Sequence, residues 1–139
     1  MPLHNSTVLF QLLQGSLEEI AKYKDELPAR AEELRAVIRR IEEIETNLDE
    51  LKIQRSDANL LVSEFAWIAR MLKHACWRGI WVAGKLTGEE DQKLRQYLLE
   101  DTDLLMKEHE KIWLARNRPG GFKDSLARLE KMQESYYAI

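Results

Sequence analysis

The sequence predicts an all-α protein: an antiparallel helical bundle built on two long helices, at about 57–86 and 88–117, with shorter N-terminal helices and a short C-terminal helix. Three observations predict it. Apolar residues recur every three or four positions through most of the chain, and no period-two run bounded by turn residues occurs. Only 6 Gly and 3 Pro stand among 139 residues, and Leu, Glu, Lys, Arg and Ala, all good helix formers, dominate. Capping and turn residues fall between the periodic stretches.

The elements follow in order. A short helical stretch runs from Thr7 to Gln14, and Gly15 interrupts it. Ser16 and Glu19 form a capping-box pair for a second stretch that reaches about Glu26. Pro28 suits the first turn of a third helix, with Leu34, Val37, Ile38, Ile41, Ile44 and Leu48 on one stripe. Asp57 is placed to cap the first long helix. There Ala58, Leu61, Phe65, Ile68, Leu72, Ala75, Gly79, Val82 and Leu86 alternate by three and four, the spacing of an antiparallel helix seam. Such a helix spans about 45 Å. Thr87 is placed to cap the return helix, whose first turn carries Glu89, Glu90 and Asp91 against the positive helix end. Leu94, Leu98, Leu105, Ile112 and Trp113 form its buried stripe. Pro119 ends it near Asn117, and the last helix starts at Asp124 or Ser125.

Composition bounds the function. The length suits one domain, 1–139, with a hydrophobic core of its own. Apolar residues are 45% and charged residues 32% of the chain, and the net charge is −3. No basic block exists to attract a phosphate backbone, so nucleic acid is not an expected partner. No apolar run is long enough for a membrane span. The single Cys76 fits a reducing compartment, and with no recognisable signal segment it points to the cytoplasm. The triplet Asn5-Ser6-Thr7 matches a glycosylation acceptor by pattern alone.

Catalytic motifs are sparse. The Glu-x-x-His spacing of di-iron bundles is missing, because Met71 and Met106 precede His74 and His109 by three. No paired cysteines and no His-Glu-x-x-His motif suggest a metal. Glu108-His109-Glu110 reads as a solvated helix face, and Cys76 as a buried, inert thiol. No cofactor is expected, and no catalytic residues are assigned.

A second apolar stripe marks the first long helix: Trp67, Met71, His74 and Trp81, with Trp77 beside it. Two readings apply. The stripe is core, the default for large aromatics. Alternatively it is a docking face for another domain, since Trp buries a large area and keeps a polar handle.

The stretch "WLARNRPGG", residues 113–121, reads as a helix stop. Trp113 anchors the last buried turn, Asn117 suits a left-handed cap, and Arg116 and Arg118 meet the negative helix end. The same block, followed by Asp124 and Ser125 and preceded by "LKHACWRG", resembles the C-terminal helical domain of bacterial exo-β-N-acetylhexosaminidases of glycoside hydrolase family 20. The resemblance covers residues 57–139, while 1–56 match only as a helical lead-in. It implies a fragment of a larger enzyme whose catalytic Asp-Glu pair lies on a (β/α)8 barrel. These 139 residues cannot supply such a barrel, which needs about 250 residues, so the chain alone is expected to be non-catalytic. The implied partners are the barrel of the parent chain and a second copy in a homodimer. Trp113, Arg116, Asn117 and Arg118 are the implied substrate-side or interdomain contacts. Two further readings stand beside it. One is a stand-alone helical interaction or regulatory module. The other is a small helical enzyme of the chorismate mutase kind, for which Arg70 and Arg78 would have to point inward, although their spacing sets them at the edge of the seam.

Overall fold

The computed structural model describes residues 27–54, 59–116 and 120–137. Four helices occur among them: α1 Leu27–Gln54, α2 Asn59–Leu86, α3 Gln92–Arg116 and α4 Phe122–Glu134. The all-α bundle is as expected, and no strand occurs among the described residues. The short helices expected within 7–26 and the Asp57 cap lie outside them.

Each helix runs antiparallel to the next, and the side-chain contacts record it. From Trp67 through His74 and Trp77 to Trp81 on α2, the partners descend from Leu105 through Asp101 and Tyr97 to Glu90. Between α1 and α2, Lys73 Nζ donates to Glu45 Oε1 at 2.7 Å. Between α3 and α4, Gln133 Nε2 reaches Asp103 Oδ1 at 2.7 Å, while Phe122 sits beside Trp113. The core gathers Leu34 and Ile38 of α1, Ala75, Cys76, Ile80 and Trp81 of α2, Leu98 of α3, and Leu129 and Met132 of α4. Tyr136, just past α4, completes it.

The return helix begins later than its acidic run suggests, because Asp91 and not Thr87 caps it. Asp91 Oδ1 accepts from the Leu94 N–H at 3.0 Å, which answers one orphan donor of the first turn. Thr87 turns the other way. Its hydroxyl donates to the carbonyls of Ala83 and Gly84 at 3.1 and 3.0 Å and so closes α2. Gly88, at φ 81°, then reverses the chain. The turn folds tightly onto Gly84, where the Glu89 N–H donates to the Gly84 carbonyl at 2.8 Å. The last helix starts at Phe122, ahead of Asp124, because Gly121 takes the left-handed conformation at its N-cap.

The long seam on α2 is only half used. Val62, Ala69, Cys76 and Ile80 form the buried stripe, and Ala75, Gly79 and Val82 of the expected seam are buried too. The other half of that seam is open, with Leu61, Phe65 and Ile68 each about half exposed and Leu72 exposed as well. On α1, Leu34, Ile38 and Ile41 are buried as expected, but Val37 and Ile44 are exposed.

Candidate functional site

Three successive turns of α2 deliver Arg70, His74 and Arg78 to one side of the helix, four residues apart. Asp101 of α3 and Tyr136 meet them inside the bundle. His74 Nδ1 lies 2.7 Å from Asp101 Oδ2, and His74 Nε2 lies 2.7 Å from the Tyr136 hydroxyl. Arg70 Nε donates to Asp101 Oδ1 at 3.0 Å. Arg78 donates to Ser135 Oγ at 3.2 Å and stacks over the Tyr136 ring. Arg95 of α3 donates to the Tyr136 carbonyl at 3.1 Å. His74, Arg78, Asp101 and Tyr136 are each at most 2% exposed.

The charges follow from burial and partners. Burial holds His74 below the ordinary imidazole range, against the opposing pull of Asp101. Burial alone would raise Asp101, but the hydrogen bond from His74 and the charge of Arg70 outweigh it and hold the carboxyl low. The network therefore contains a neutral imidazole and an ionised carboxylate. One proton arrangement satisfies both ring nitrogens: Nδ1–H donates to Asp101, and the Tyr136 O–H donates to Nε2. Burial raises Tyr136 well above the usual phenol range, so the phenol keeps its proton.

An Asp-His-Tyr chain of this kind resembles the orienting half of a catalytic relay. Its far end, however, is the phenol of this chain's own tail. The Arg78 guanidinium points inward, contrary to the edge position its spacing suggests, and the places a carboxylate ligand would take are filled by Tyr136 and Ser135. The arrangement is a polar clamp that fixes the tail and α4 to the long helices.

The Trp stripe divides. Trp81 and His74 are buried in this chain's own core, and Trp81 donates to Glu90 Oε1 at 3.3 Å. Both correct the docking-face reading, because each finds its partners at home. Trp67, Met71 and Trp77 are half-buried and packed against the core. Trp67 Nε1 donates to the Leu105 carbonyl at 3.0 Å, and Trp77 meets Tyr97 edge-on. Cys76 is buried, and burial pushes its thiol up to about 11.

The end of α3 is an aromatic clasp. His109 stacks on Trp67 at 5.1 Å and touches Trp113 and Phe122 at 5.5 and 5.4 Å. It is 8% exposed, which corrects the solvated-face reading of Glu108-His109-Glu110. Gly120 and Gly121 have φ of 75° and 78°. A Cβ on Gly121 would stand 3.5 Å from the Trp113 ring. Arg116 does not reach outward: it holds Glu64 of α2 in a two-pronged ion pair, with Nη2 to Oε2 at 2.7 Å. Asn117, Arg118 and Pro119 lie outside the described residues. A cleft of about 230 Å³ remains between Trp67, Ile68, Trp113 and the Glu64–Arg116 pair.

The hairpin of α1 and α2 carries a third feature. Tyr97 of α3 feels the charges of Glu45 and Glu42, so α3 lies on the flank bridged by Lys73 and Glu45. At 100° per residue, Val37, Ile44 and Leu51 fall on the other flank of α1. Leu61, Phe65, Ile68 and Leu72 fall on the matching flank of α2. All seven are exposed. Together they make a two-helix-wide apolar face, bordered at Ile68 by the α3 cleft and at Ile68 and Leu72 by α4, of a kind that marks interaction surfaces. The overlapping three-four spacing of two stripes on α2 hid which one faces outward.

Among the described residues, no cluster of three or more His, Cys, Asp or Glu is arranged to hold a metal, and no helix is long and apolar enough to cross a membrane. Comparison with protein-family models, with curated proteins and with solved structures finds no match to this chain.

Proposed function

We propose that this chain is a non-catalytic docking domain: the C-terminal helical domain of a family 20 β-N-acetylhexosaminidase, packed on the catalytic barrel and supporting a dimer. The observation that carries the docking role is the apolar face of Ile44, Leu51, Leu61, Phe65 and their neighbours, exposed beside a separate buried core. A polar core closed by the chain's own tail supports a structural role over a chemical one. The parent enzyme rests on the resemblance of residues 57–139. The packing of Trp113 on Gly121 gives a physical reason for an aromatic and a Gly-Gly pair in that block. The parent would remove terminal β-linked N-acetylhexosamine, in the cytoplasm, as a buried and reduced Cys76 suits.

The reading is tested on the gene and on the protein. An upstream reading frame encoding a barrel with an adjacent Asp-Glu pair is expected. In that parent, Phe65→Glu with Ile44→Glu is expected to release the domain from the barrel, read as new sites of limited proteolysis. The isolated chain is expected to leave a chromogenic N-acetylglucosaminide intact. A stand-alone reading frame, or turnover by the isolated chain, overturns the assignment.

A further inference from the structure

We propose that the trough between α2 and α4 receives an amphipathic helix whose apolar stripe is bordered by acidic residues. This deepens the docking reading and rests on it, by naming the chemistry of the docked element.

The trough exists because the body of α4 is tied to α3, while α2 is reached only past its end, through Ser135 and Tyr136. Gln133 bonds to Leu99 and Asp103 of α3, and Phe122 packs on His109 and Trp113. A volume of about 310 Å³ is left between α4 and α2. Ile68, Met71 and Leu72 form one wall, and Leu129, Met132 and Arg128 the other. Both walls are helices with side chains at three- and four-residue spacing, so their grooves fit the ridges of a third helix. The unbranched methionines adapt to an irregular partner. The trough opens onto Phe65 and Leu61 of the exposed face. From Leu61 to Leu72 the row runs roughly 17 Å, about three helical turns.

Charge selects the border of the occupant. Arg128 stands on the α4 rim, exposed, and makes no ion pair with another described residue. Lys131 and Asp124 flank it on the same side of α4, so the rim carries a surplus of one positive charge. On the α2 side, Glu64 is already neutralised by Arg116. An acidic border therefore meets the positive surplus of this rim, while a basic one meets Asp124 only in the company of Arg128 and Lys131.

The test uses the full 139-residue chain and two labelled model peptides of four turns. Both carry the same leucine stripe, bordered by Glu in one and by Lys in the other. Fluorescence anisotropy is expected to show tighter binding of the Glu peptide. Arg128→Glu is expected to lower its affinity about threefold and to raise that of the Lys peptide, the scale of an exposed ion pair. Ile68→Asp is expected to abolish binding of both, with circular dichroism confirming that each variant stays helical. Equal binding of the two peptides, unmoved by Arg128→Glu, overturns the proposal. So does binding that appears only after residues 1–26 are deleted, since the chain's own segment would then fill the trough. Self-association in sedimentation that Ile68→Asp abolishes, without peptide binding, assigns the trough to a second copy and overturns it too. Peptide selectivity in a chain with no upstream barrel sinks the family 20 parent alone. Docking in the parent without peptide selectivity sinks the acidic-helix proposal alone.

Discussion

His74 Nδ1 sits 2.7 Å from Asp101 Oδ2, deep between α2 and α3, and the other oxygen of Asp101 receives Arg70. Neither partner has water to fall back on, so the pair is costly to break from one side. Asp101→Ala is expected to destabilise the fold by about 3–5 kcal/mol, because it strands a buried donor and removes the anion facing Arg70. Tyr136→Phe removes one hydroxyl from the same network and is expected to cost about 1–3 kcal/mol, through the unsatisfied His74 Nε2. Urea denaturation followed by circular dichroism measures both, and a smaller effect from Asp101→Ala than from Tyr136→Phe contradicts the clamp.

The acid side of the stability profile has a definite sign. His74 and His109 are held below 6.5 by burial, and Asp101 is held below 3.8 by His74 and Arg70 despite its burial. A group with a depressed folded pKa stabilises fully above its unfolded pKa and loses that contribution as pH falls through the folded value. Thermal stability is therefore expected to decline as pH drops below about 6.5 and again below about 4. His74→Gln with His109→Gln should flatten the first decline and shrink the second, since His74 is the leading group that holds Asp101 low. A melting temperature constant from pH 7 to 5 in the parent chain is the opposing outcome.

Cys76 offers a chemical readout of the core. Its thiol is raised from 9.0 to about 11 by burial. At pH 8 the thiolate fraction falls about a hundredfold, one decade per pKa unit, and the buried site adds steric protection. A disulfide reagent is expected to leave the native chain unmodified over minutes and to react at once in urea. Prompt reaction of the native chain would place Cys76 at the surface.

Gly84 tests the turn between the long helices. A Cβ there would stand 2.8 Å from the backbone oxygen of Glu89, which cannot swing aside as a side chain can. Gly84→Ala is expected to cost about 1–3 kcal/mol through the forced backbone shift, although alanine favours the helix. Gly121→Ala adds a left-handed strain of roughly 1–2 kcal/mol, with the Trp113 ring alongside. Thermal melts of the two variants check both values.

Sequence periodicity placed the helices well and their faces poorly. On α2 it found two apolar stripes but could not rank them, because periodicity separates apolar from polar and carries no record of partners. The Trp stripe turned inward because Asp101, Glu90 and the Leu105 carbonyl wait there for its polar handles. One signal was available: Asp101 follows Leu98 by three and precedes Leu105 by four, so an acid stood in a core register. Tyr136 had no such signal, since it lies past the last helix, where periodicity stops. The misplaced Thr87 cap has a similar cause, because a threonine between two helices can serve either end and only geometry decides.

Tyr136 also sets the order of events in synthesis. It lies 62 residues after His74 in the chain. A ribosome releases α1, α2 and α3 before the residue that seals their polar interior. Until then, His74 Nε2 lacks the hydroxyl that answers it in the finished structure. The polar interior is therefore closed by a residue made after all of its other members, so a chain cut short before Tyr136 leaves His74 Nε2 unanswered.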